Sequence, residues 1–243
     1  MSKSKMIKYK CMIGSKQLAP HVPETRWMTP GNVWGLLAKN GQVILKPLGG
    51  SRGAGVILVS SIRGDRYEIH SENKKKIFHE KKQTYNYVKT KTGTREYIVQ
   101  RRIPLATINK RPFDIRVIVQ CKRRSSFWKV TGRIAKVAGK GYIITNITRS
   151  KGTLLPIQTA IRKSSIRKRS VPVLLSNINK IALLTANRLR KIYPLHRIYG
   201  MDIGLDRNGH VWIIEANRKP LMSHFMKLKD KTMYRRIMEY KRL

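Results

Sequence analysis

Residues 43–61, VILKPLGGSRGAGVILVSS, place a glycine-rich loop between two runs of β-forming residues. Four glycines fall within residues 49–55, and Lys46 ends the first run. Glycine loops bind phosphate because their unhindered backbone N–H groups can converge on an anion. The pattern therefore favours a β-hairpin with a flexible tip, a flap, with Lys46 as a fixed positive charge beneath it.

The residues that follow the glycines exclude two familiar phosphate-binding loops. Gly50 and Gly55 have the P-loop spacing, but Val56 and Ile57 stand where that loop needs lysine and a hydroxyl residue. The dinucleotide fingerprint GxGxxG fails because Leu58 occupies the place of its third glycine. Both of those loops open a helix, whereas VILVSS is a strand former. Two readings remain: a hairpin that folds over a phosphate chain, and a glycine hairpin with no chemical role.

The net charge of the chain limits the classes of partner that it can attract but does not identify one of them. The 243 residues include 53 Lys and Arg but 12 Asp and Glu, which gives a net charge of +41. A surface this basic attracts nucleic acid, anionic membranes, acidic polypeptides or polyphosphates. A solvated cationic surface without a dedicated partner is the alternative.

The composition indicates that the chain can form a hydrophobic core, and it also indicates the cellular compartment. An apolar content of 41% is enough for a real core. The two cysteines, Cys11 and Cys121, form no disulfide framework and fit a reducing compartment. The first residues lack the apolar stretch of a signal peptide, and no apolar run approaches the roughly 18 residues of a membrane span. We therefore expect a cytoplasmic protein.

Hydrophobic periodicity predicts a mixed α and β chain. A helix is expected from Pro30 to the stop signal Asn40-Gly41, with Thr29 as its N-cap. Segment 71–83, SENKKKIFHEKKQ, is so polar that we expect it to be mobile. Further helices are predicted at 3–14 and 174–193, and strands or β-rich segments at 42–46, 55–60, 66–70, 96–100, 115–121, 128–138 and 142–148.

The hairpin at residues 199–217, YGMDIGLDRNGHVWIIEAN, carries three polar ligand-type side chains. With a two-residue Asn-Gly turn, Asp202 lies opposite Glu215; with a four-residue loop, Asp202 lies opposite Ile213. Both registers place Asp202, Glu215 and Asn217 on one face, because strand side chains alternate with period two. Only an odd-length loop or a bulge would break this arrangement. Clustered oxygen ligands suit a hard cation such as Mg²⁺, with a merely polar exposed face as the alternative.

Several spaced motifs together resemble the ATP-grasp superfamily. They are Lys46, GGSRGAG, YIVQ, FDIRVIVQ, TNITR and GMDIGLDRNGHVWIIEANRKP, in that order. HVPETRWMTP, LKPLGGSRGAGV and RPFDIRV are most similar to the YheC/YheD-type, endospore coat-associated branch. The resemblance covers roughly residues 20–225, with one departure, since Leu221 follows Pro220 where the family has glycine.

The resemblance implies an α+β, ATP-grasp fold in which two lobes with mainly antiparallel sheets grip ATP between them. The expected organisation is an N-terminal helix and linker (1–29), a small lobe with the glycine-rich flap (30–100), and a large lobe with the metal-binding hairpin (101–243). The N-terminal Rossmann-like domain of longer relatives is expected to be absent. A partner chain or a homodimer would then replace it.

The resemblance also implies site residues. Lys46 contacts phosphate, Arg116 and Asn146 face the phosphate or acyl-phosphate region, and Arg133 joins the phosphate contacts. A lysine of the first helix reaches the nucleotide, with Lys5, Lys8 and Lys10 as equal candidates. The remaining implied residues are the flap over the phosphates (Gly49, Gly50, Ser51, Arg52, Gly53, Ala54, Gly55), the adenine hinge (Val99, Gln100, Arg101, Ile103) and the ligands of two Mg²⁺ ions (Asp202, Glu215, Asn217).

The implied activity is a Mg²⁺- and ATP-dependent carboxylate–amine ligase that works through an acyl phosphate and releases ADP and phosphate. A peptide or protein, acidic in view of the basic chain, is one class of substrate. The alternative is a basic spore-coat or polyanion-binding protein that keeps the fold without turnover. The coat-associated branch adds a spore-associated location to the expected cytoplasmic one.

Overall fold

Two antiparallel sheets form the framework of the protein, whose computed structural model describes residues 4–50, 53–167 and 169–242. The first sheet, with helices α2 and α3, is called the small lobe below. The second sheet, with helices α4–α8, is called the large lobe. Helix α1 (Ser4–Ile13) packs on the large lobe and reaches toward the small one.

The small lobe is a six-stranded sheet within the described residues, with strand order β1-β6-β2-β3-β4-β5. Helix α2 packs Val33, Leu36 and Leu37 against this sheet. The strands are β1 (Thr25–Trp27), β2 (Gln42–Pro47), β3 (Ile57–Ile62), β4 (Arg66–Ser71), β5 (Lys74–His79) and β6 (Tyr97–Arg101), and the helices are α2 (Pro30–Asn40) and α3 (Lys81–Thr92).

The large lobe contains the second sheet, of order β10-β9-β8-β11-β12, with β7 paired to β8. Its strands are β7 (Thr107–Ile108), β8 (Arg111–Cys121), β9 (Trp128–Val137), β10 (Thr153–Leu155), β11 (Ile198–Leu205) and β12 (Val211–Asn217). Its helices are α4 (Ile147–Ser150), α5 (Ile157–Arg162), α6 (Val171–Arg190), α7 (Ser223–Met226) and α8 (Thr232–Arg242).

Two predicted helices are confirmed together with the signals that predicted them. The side chain of Thr29 accepts a hydrogen bond from the backbone N–H of Asn32, 3.2 Å away, and so caps α2. Gly41 ends α2 in the left-handed conformation, at φ 69°. Helix α6 buries the apolar stripe predicted for it, including Leu174, Ile178 and Leu189.

The prediction that residues 71–83 are mobile was wrong. Residues 74–79 form β5, which pairs with β4 across the two-residue turn Glu72–Asn73, and α3 begins at Lys81. Phe78 anchors this edge strand by packing on Tyr87, with ring centroids 4.7 Å apart. Exposed lysines are ordinary on an edge strand, because they discourage pairing with other chains.

Two other segments differ from expectation. Residues 142–146, expected to be β-rich, form a loop, because Asn146 caps α4 by accepting the N–H of Arg149. Residues 25–27, expected as linker, form β1 and pair antiparallel with β6. The apolar residues of the 142–146 loop are therefore available to line a cleft.

The N-terminal segment covers the outer edge of β12. Lys8 Nζ donates to the carbonyl of Ala216, and His21 Nδ1 lies 2.7 Å from the carbonyl of Val211. An uncovered edge strand would expose a row of unpaired backbone groups, so these contacts complete the large lobe. In the described part of the chain, no helix is both long and apolar enough to cross a membrane.

Candidate functional site

A cleft of about 1110 Å³ lies between the two lobes. The small lobe contributes Lys46 and Gln100 with apolar side chains from β2 and β6, and the large lobe contributes residues of β8, β9, β11 and β12. Apolar walls with a few convergent charged groups are typical of a ligand site.

Asp202 lies opposite Glu215 in the acidic hairpin, but the length of the connecting loop differs from both predicted lengths. The loop between β11 and β12 has five residues, 206–210, because Leu205 pairs with Val211. An odd loop alone would turn the two acids to opposite faces. A bulge at Ile214, between the pairs Ile203–Ile213 and Asp202–Glu215, shifts the register by one and restores the common face.

Asn217 completes this face. Its Nδ2 lies 3.4 Å from Asp202 Oδ2 and 3.4 Å from Glu215 Oε2, so the amide sits between the two carboxylates. The predicted clustering of these three side chains on one face of the hairpin is confirmed.

The oxygen atoms on this face are suitable ligands for a hard cation. Oxygen atoms of a molecule bound in the cleft would supply the other coordination positions. No three His, Cys, Asp or Glu side chains in the described residues cluster closely enough to hold a metal by themselves. Two carboxylates and one amide at the floor of a cleft are what Mg²⁺ uses when phosphate and water oxygens supply the remaining positions. Within the described residues Glu215 forms no ion pair, which leaves its charge to attract a cation.

A buried ion network lies beside the acidic face. Arg116 Nε and Nη2 donate to the two carboxylate oxygens of Asp202 at 2.8 and 3.1 Å, and Lys136 Nζ donates to Asp202 Oδ1 at 2.9 Å. Burial alone would raise the pKa of Asp202, but Arg116 and Lys136 hold that pKa well below its usual range. Asp202 therefore stays ionised and orients both cations toward the cleft.

Asp114 extends the network on the other side of Lys136. Its Oδ2 accepts a hydrogen bond from Thr145, and its Oδ1 lies 3.1 Å from Lys136 Nζ. Burial raises the pKa of Asp114 to about 6, against the opposing attraction of Lys136. Burial lowers the pKa of Lys136, but Asp114 and Asp202 outweigh this and raise it above its ordinary value.

Sequence reasoning missed Lys136 and Asp114. A signal was present for Asp114, because it precedes Arg116 by two residues and so shares its face of β8. Lys136 sits directly opposite Asp114 in the β8–β9 pairing. Only the register between two strands reveals that neighbour.

Lys46 points into the cleft from the small lobe. Its Nζ donates to Gln100 Oε1 at 2.5 Å, and Gln100 in turn donates to Thr25 Oγ1 at 2.7 Å. Burial lowers the pKa of Lys46 to about 8, while Glu215 and Asp202 across the cleft oppose the shift. Lys46 thus faces the acidic hairpin with its ammonium held by a single side-chain partner in the described residues.

Part of the glycine flap lies over the cleft. Gly49, Gly50, Gly53 and Ala54 line it, whereas Gly55 does not. A Cβ built on Gly53 would come within 2.8 Å of Ile144 Cδ1, so the flap touches the large lobe. Two flap residues named from the sequence, Ser51 and Arg52, lie outside the described residues.

The predicted hinge is only partly at the cleft. Gln100, Arg101 and Ile103 line it, and the Arg101 guanidinium lies 5.4 Å from the ring centroid of Trp212. Val99 is fully buried in the core of the small lobe, so its side chain does not reach the cleft.

Asn146 and Arg133 lie in different places. Asn146 lines the cleft, with its side-chain oxygen engaged as the cap of α4. Arg133 does not line the cleft, since its Nη1 donates to Asn179 Oδ1 of α6 at 2.7 Å.

Helix α1 brings two of its lysines to the cleft. Lys5 Nζ donates to the carbonyl of Pro47 at 2.6 Å, and Lys8 is buried near Glu215. Burial lowers the pKa of Lys8, while Glu215 opposes that shift. Lys10 is exposed and does not line the cleft.

The two lobes also contact each other through residues that do not line the cleft. Arg149 of α4 forms an ion pair with Glu72, at the turn between β4 and β5. His70 Nε2 lies 3.0 Å from the carbonyl of Gly141. These contacts join the 139–150 segment of the large lobe to the small lobe.

Comparison with known sequences gives a consistent family. The model of the YheC/D-like ATP-grasp family matches residues 2–243. The chain is 26% identical over 206 residues to the endospore coat-associated protein YheC of Bacillus subtilis strain 168, covering 83% of this chain and 55% of YheC. It is 25% identical over 195 residues to the endospore coat-associated protein YheD of the same strain, covering 76% of this chain and 40% of YheD. The chain thus spans about half the length of these relatives.

Solved structures share the fold. The C-terminal domain of Pby1 from K. lactis, an ATP-grasp enzyme interacting with the mRNA decapping enzyme Dcp2, aligns with a TM-score of 0.53 and 14% identity, covering 96% of this chain and 69% of that one. The ATP-grasp ligase PsnB, complexed with a minimal precursor, aligns with a TM-score of 0.50 and 14% identity, covering 97% of this chain and 60% of that one. The expected α+β, ATP-grasp fold is confirmed.

Proposed function

The chain belongs to the YheC/D-like ATP-grasp family, and on that premise we propose that it is a Mg²⁺-dependent ligase that uses ATP to join a carboxylate to an amine. In the first step a substrate carboxylate oxygen attacks the γ-phosphorus of ATP, and ADP leaves. In the second step an amine attacks the acyl carbon, and phosphate leaves. The product is an amide that contains the new carbon–nitrogen bond.

One observation carries the proposal. An acid–amide face (Asp202, Glu215, Asn217) and a set of cations (Lys46, Arg116, Lys136) converge on the same cleft beneath a glycine hairpin. Phosphoryl transfer needs positioning and neutralisation of charge more than covalent help from the protein. This combination of groups meets that need.

Each group then has a role. Asp202, Glu215 and Asn217 would hold Mg²⁺, which when bound neutralises charge on the ATP phosphates. Lys46 binds the phosphate chain from the small lobe, and Arg116 binds the transferred phosphate from the large lobe, with its orientation fixed by Asp202. The hinge at Gln100, Arg101 and Ile103 holds adenine between apolar walls.

The flap and the loop opposite it exclude water. Gly53 approaches Ile144, and Asn146 lies on the same loop. A closed cleft protects an acyl phosphate from hydrolysis and strengthens the electrostatic contacts inside it.

The substrate carboxylate is proposed to belong to an anionic molecule, with a peptide or protein as the favoured class. Arg101, Lys110, Arg207 and Lys219 line the cleft and favour such a partner. PsnB, an ATP-grasp ligase, is described in complex with its minimal precursor. The names of YheC and YheD lead us to propose a spore-associated location.

Nucleotide binding is expected to require Mg²⁺. Titration of the chain with a non-hydrolysable ATP analogue in a calorimeter should give a dissociation constant between about micromolar and millimolar, or about 4–8 kcal/mol. The same titration in a chelator should give much weaker binding, because the acidic hairpin would then repel the phosphates. Equal heats in both conditions, or none, would contradict the proposal. A screen of carboxylates and amines for ADP release, with products identified by mass spectrometry, then defines the reaction.

Alanine at Gly53 or Gly55 is expected to weaken nucleotide binding and to reduce stability by about 1–2 kcal/mol each, because both have positive φ. The added Cβ would also meet Ile144 Cδ1 at 2.8 Å or Tyr97 Oη at 2.7 Å. Gly49 is the matched control, since its φ is not positive and nothing lies within 4 Å of its built Cβ. Chemical unfolding and analogue titration of the three variants test this. Equal behaviour of Gly49→Ala and Gly53→Ala would show that the backbone of the flap plays no special part.

A further inference from the structure

Basic residues are concentrated in one part of the chain without any acids. Residues 115–201 contain twenty Lys and Arg and no Asp or Glu. Many of these cations lie at one end of the large-lobe sheet, where β8 ends and β9 and β11 begin. We call this surface the cationic pole, formed by residues 122–129 and 188–197 together with Lys16 and Arg218.

Hydrogen bonds hold the segments of the cationic pole together. Arg190 Nη1 donates to the carbonyl of Ser125 at 3.5 Å, and the N–H of Cys121 donates to the carbonyl of Arg197 at 3.0 Å. Arg188 donates to the carbonyls of Cys11 and Gly14, which fixes the end of α1 beside the same surface. The segments are distant in sequence but form one continuous surface.

The positive charge of the pole is not compensated within the described residues. None of the ion pairs found there involves residues 122–129 or 188–197, Lys16 or Arg218. Lys122, Arg123, Arg124, Lys191 and Arg197 are all exposed. Cations that repel one another and find no carboxylate gain most from a polyanionic partner.

The pole is separate from the nucleotide cleft. Among the described residues that line the cleft, none comes from 122–129 or 188–197. A ligand of the pole therefore adds a function to the proposed ligase rather than describing its active site.

Two aromatic side chains in the cationic pole, one of them exposed, indicate which class of polyanion the pole binds. Phe127 is 84% exposed and lies in the same β8–β9 loop as Arg123 and Arg124, and its N–H donates to Ser125 Oγ at 3.1 Å. The Arg218 guanidinium lies 4.4 Å from the ring centroid of Tyr193. Arginine binds phosphate through its planar fork and stacks on flat rings, and exposed aromatics stack on unpaired bases.

We propose that the cationic pole binds single-stranded nucleic acid, with arginines on the phosphates and Phe127 stacked on a base. An acidic polypeptide would use the charge but gain nothing specific from an exposed phenyl ring among arginines. A duplex keeps its bases stacked inside and would leave Phe127 without a base to contact.

Fluorescence anisotropy with labelled polyuridylate tests the proposal. Arg123→Glu combined with Arg124→Glu should weaken binding by about tenfold or more at physiological salt, since several phosphate contacts are lost. The matched control is Lys81→Glu with Lys82→Glu, which makes the same charge change at exposed positions on α3 of the other lobe. The control should weaken binding by less than about threefold, because screening limits charge effects to about 8–10 Å.

Phe127→Ala separates base stacking from charge. It should weaken polyuridylate binding by about fivefold or more but leave heparin, which has no bases, nearly unchanged. Equal losses in the two charge-reversal pairs would overturn the proposal in favour of a diffuse cationic surface. An unchanged polyuridylate affinity in Phe127→Ala, or tighter binding of polyglutamate than of polyuridylate, would overturn it as well. Binding of the ATP analogue should be unaffected in every variant, which also reports on folding.

Discussion

Replacing Glu215 with glutamine is expected to remove the magnesium dependence of nucleotide binding while the fold stays intact. Glutamine has the same shape and can keep the contact with Asn217, so only the charge is lost. Asp202 is already held by Arg116 and Lys136, whereas Glu215 forms no ion pair in the described residues. Glu215 is therefore the carboxylate whose charge is most available to a cation.

The expected loss is large because a direct ligand is removed. Changes to groups that merely orient metal ligands weaken metal binding by about 10–100-fold, so loss of a ligand should do at least as much. Calorimetry with the ATP analogue and Mg²⁺ should show this loss, and ADP release with an accepted substrate should fall in parallel. Glu239→Gln is the control, since Glu239 is exposed on α8 outside the cleft.

Lys46→Ala provides a contrasting result in the same assay. Lys46 is proposed to contact phosphate directly, so its loss should weaken analogue binding both with Mg²⁺ and in a chelator. In the chelator Glu215→Gln should no longer weaken binding, because without Mg²⁺ the charge of Glu215 only repels the phosphates. If both variants are folded by circular dichroism and release ADP at near-normal rates, the site assignment is wrong.

The parts of the fold that depend only on residues close together in the sequence could be predicted from the sequence. The cap at Thr29, the stop at Gly41 and the stripe of α6 depend on neighbouring residues, and each was recovered. Strand β5 was not recovered, because a segment this polar becomes a strand only through pairing with β4 and the packing of Phe78 on Tyr87.

The acidic face of the hairpin was predicted, although the register that produces it was not. Period-two alternation places Asp202 and Glu215 together for any even loop. The actual loop is odd, and the bulge at Ile214 compensates for it. Asp206 stabilises this loop by accepting the N–H groups of Asn208 and His210, a pattern that an Asn-Gly signal does not reveal.

The ion network depends on contacts that no local pattern contains. Asp114 and Lys136 come from the consecutive strands β8 and β9, whereas Asp202 comes from β11 much later in the chain, and only the order β9-β8-β11 brings all three together. The position of Arg133 shows the same limit. Arg133 lies opposite Val117 on β8, and its guanidinium bonds Asn179 of α6 instead of entering the cleft.

Lys136→Met is expected to lower the free energy of unfolding by about 3–5 kcal/mol, because removal of one partner leaves buried charge uncompensated. Lys136 is 5% exposed and lies 2.9 Å from Asp202 Oδ1 and 3.1 Å from Asp114 Oδ1. Methionine fills a similar volume, so a cavity contributes little to the loss. Asp202 keeps Arg116, but among the described residues Asp114 retains only its hydrogen bond from Thr145 and must ionise alone or take up a proton.

Lys129→Met on the same strand is the control for this loss. Lys129 is exposed, with its Nζ 5.7 Å from the Tyr240 ring centroid, and its replacement should change stability by less than about 1 kcal/mol. Urea unfolding followed by circular dichroism measures both variants. Nearly equal midpoints for the two would mean that the network contributes nothing to stability. The four charged side chains of the network would then be explained by the chemistry of the cleft alone, because their burial would not stabilise the fold.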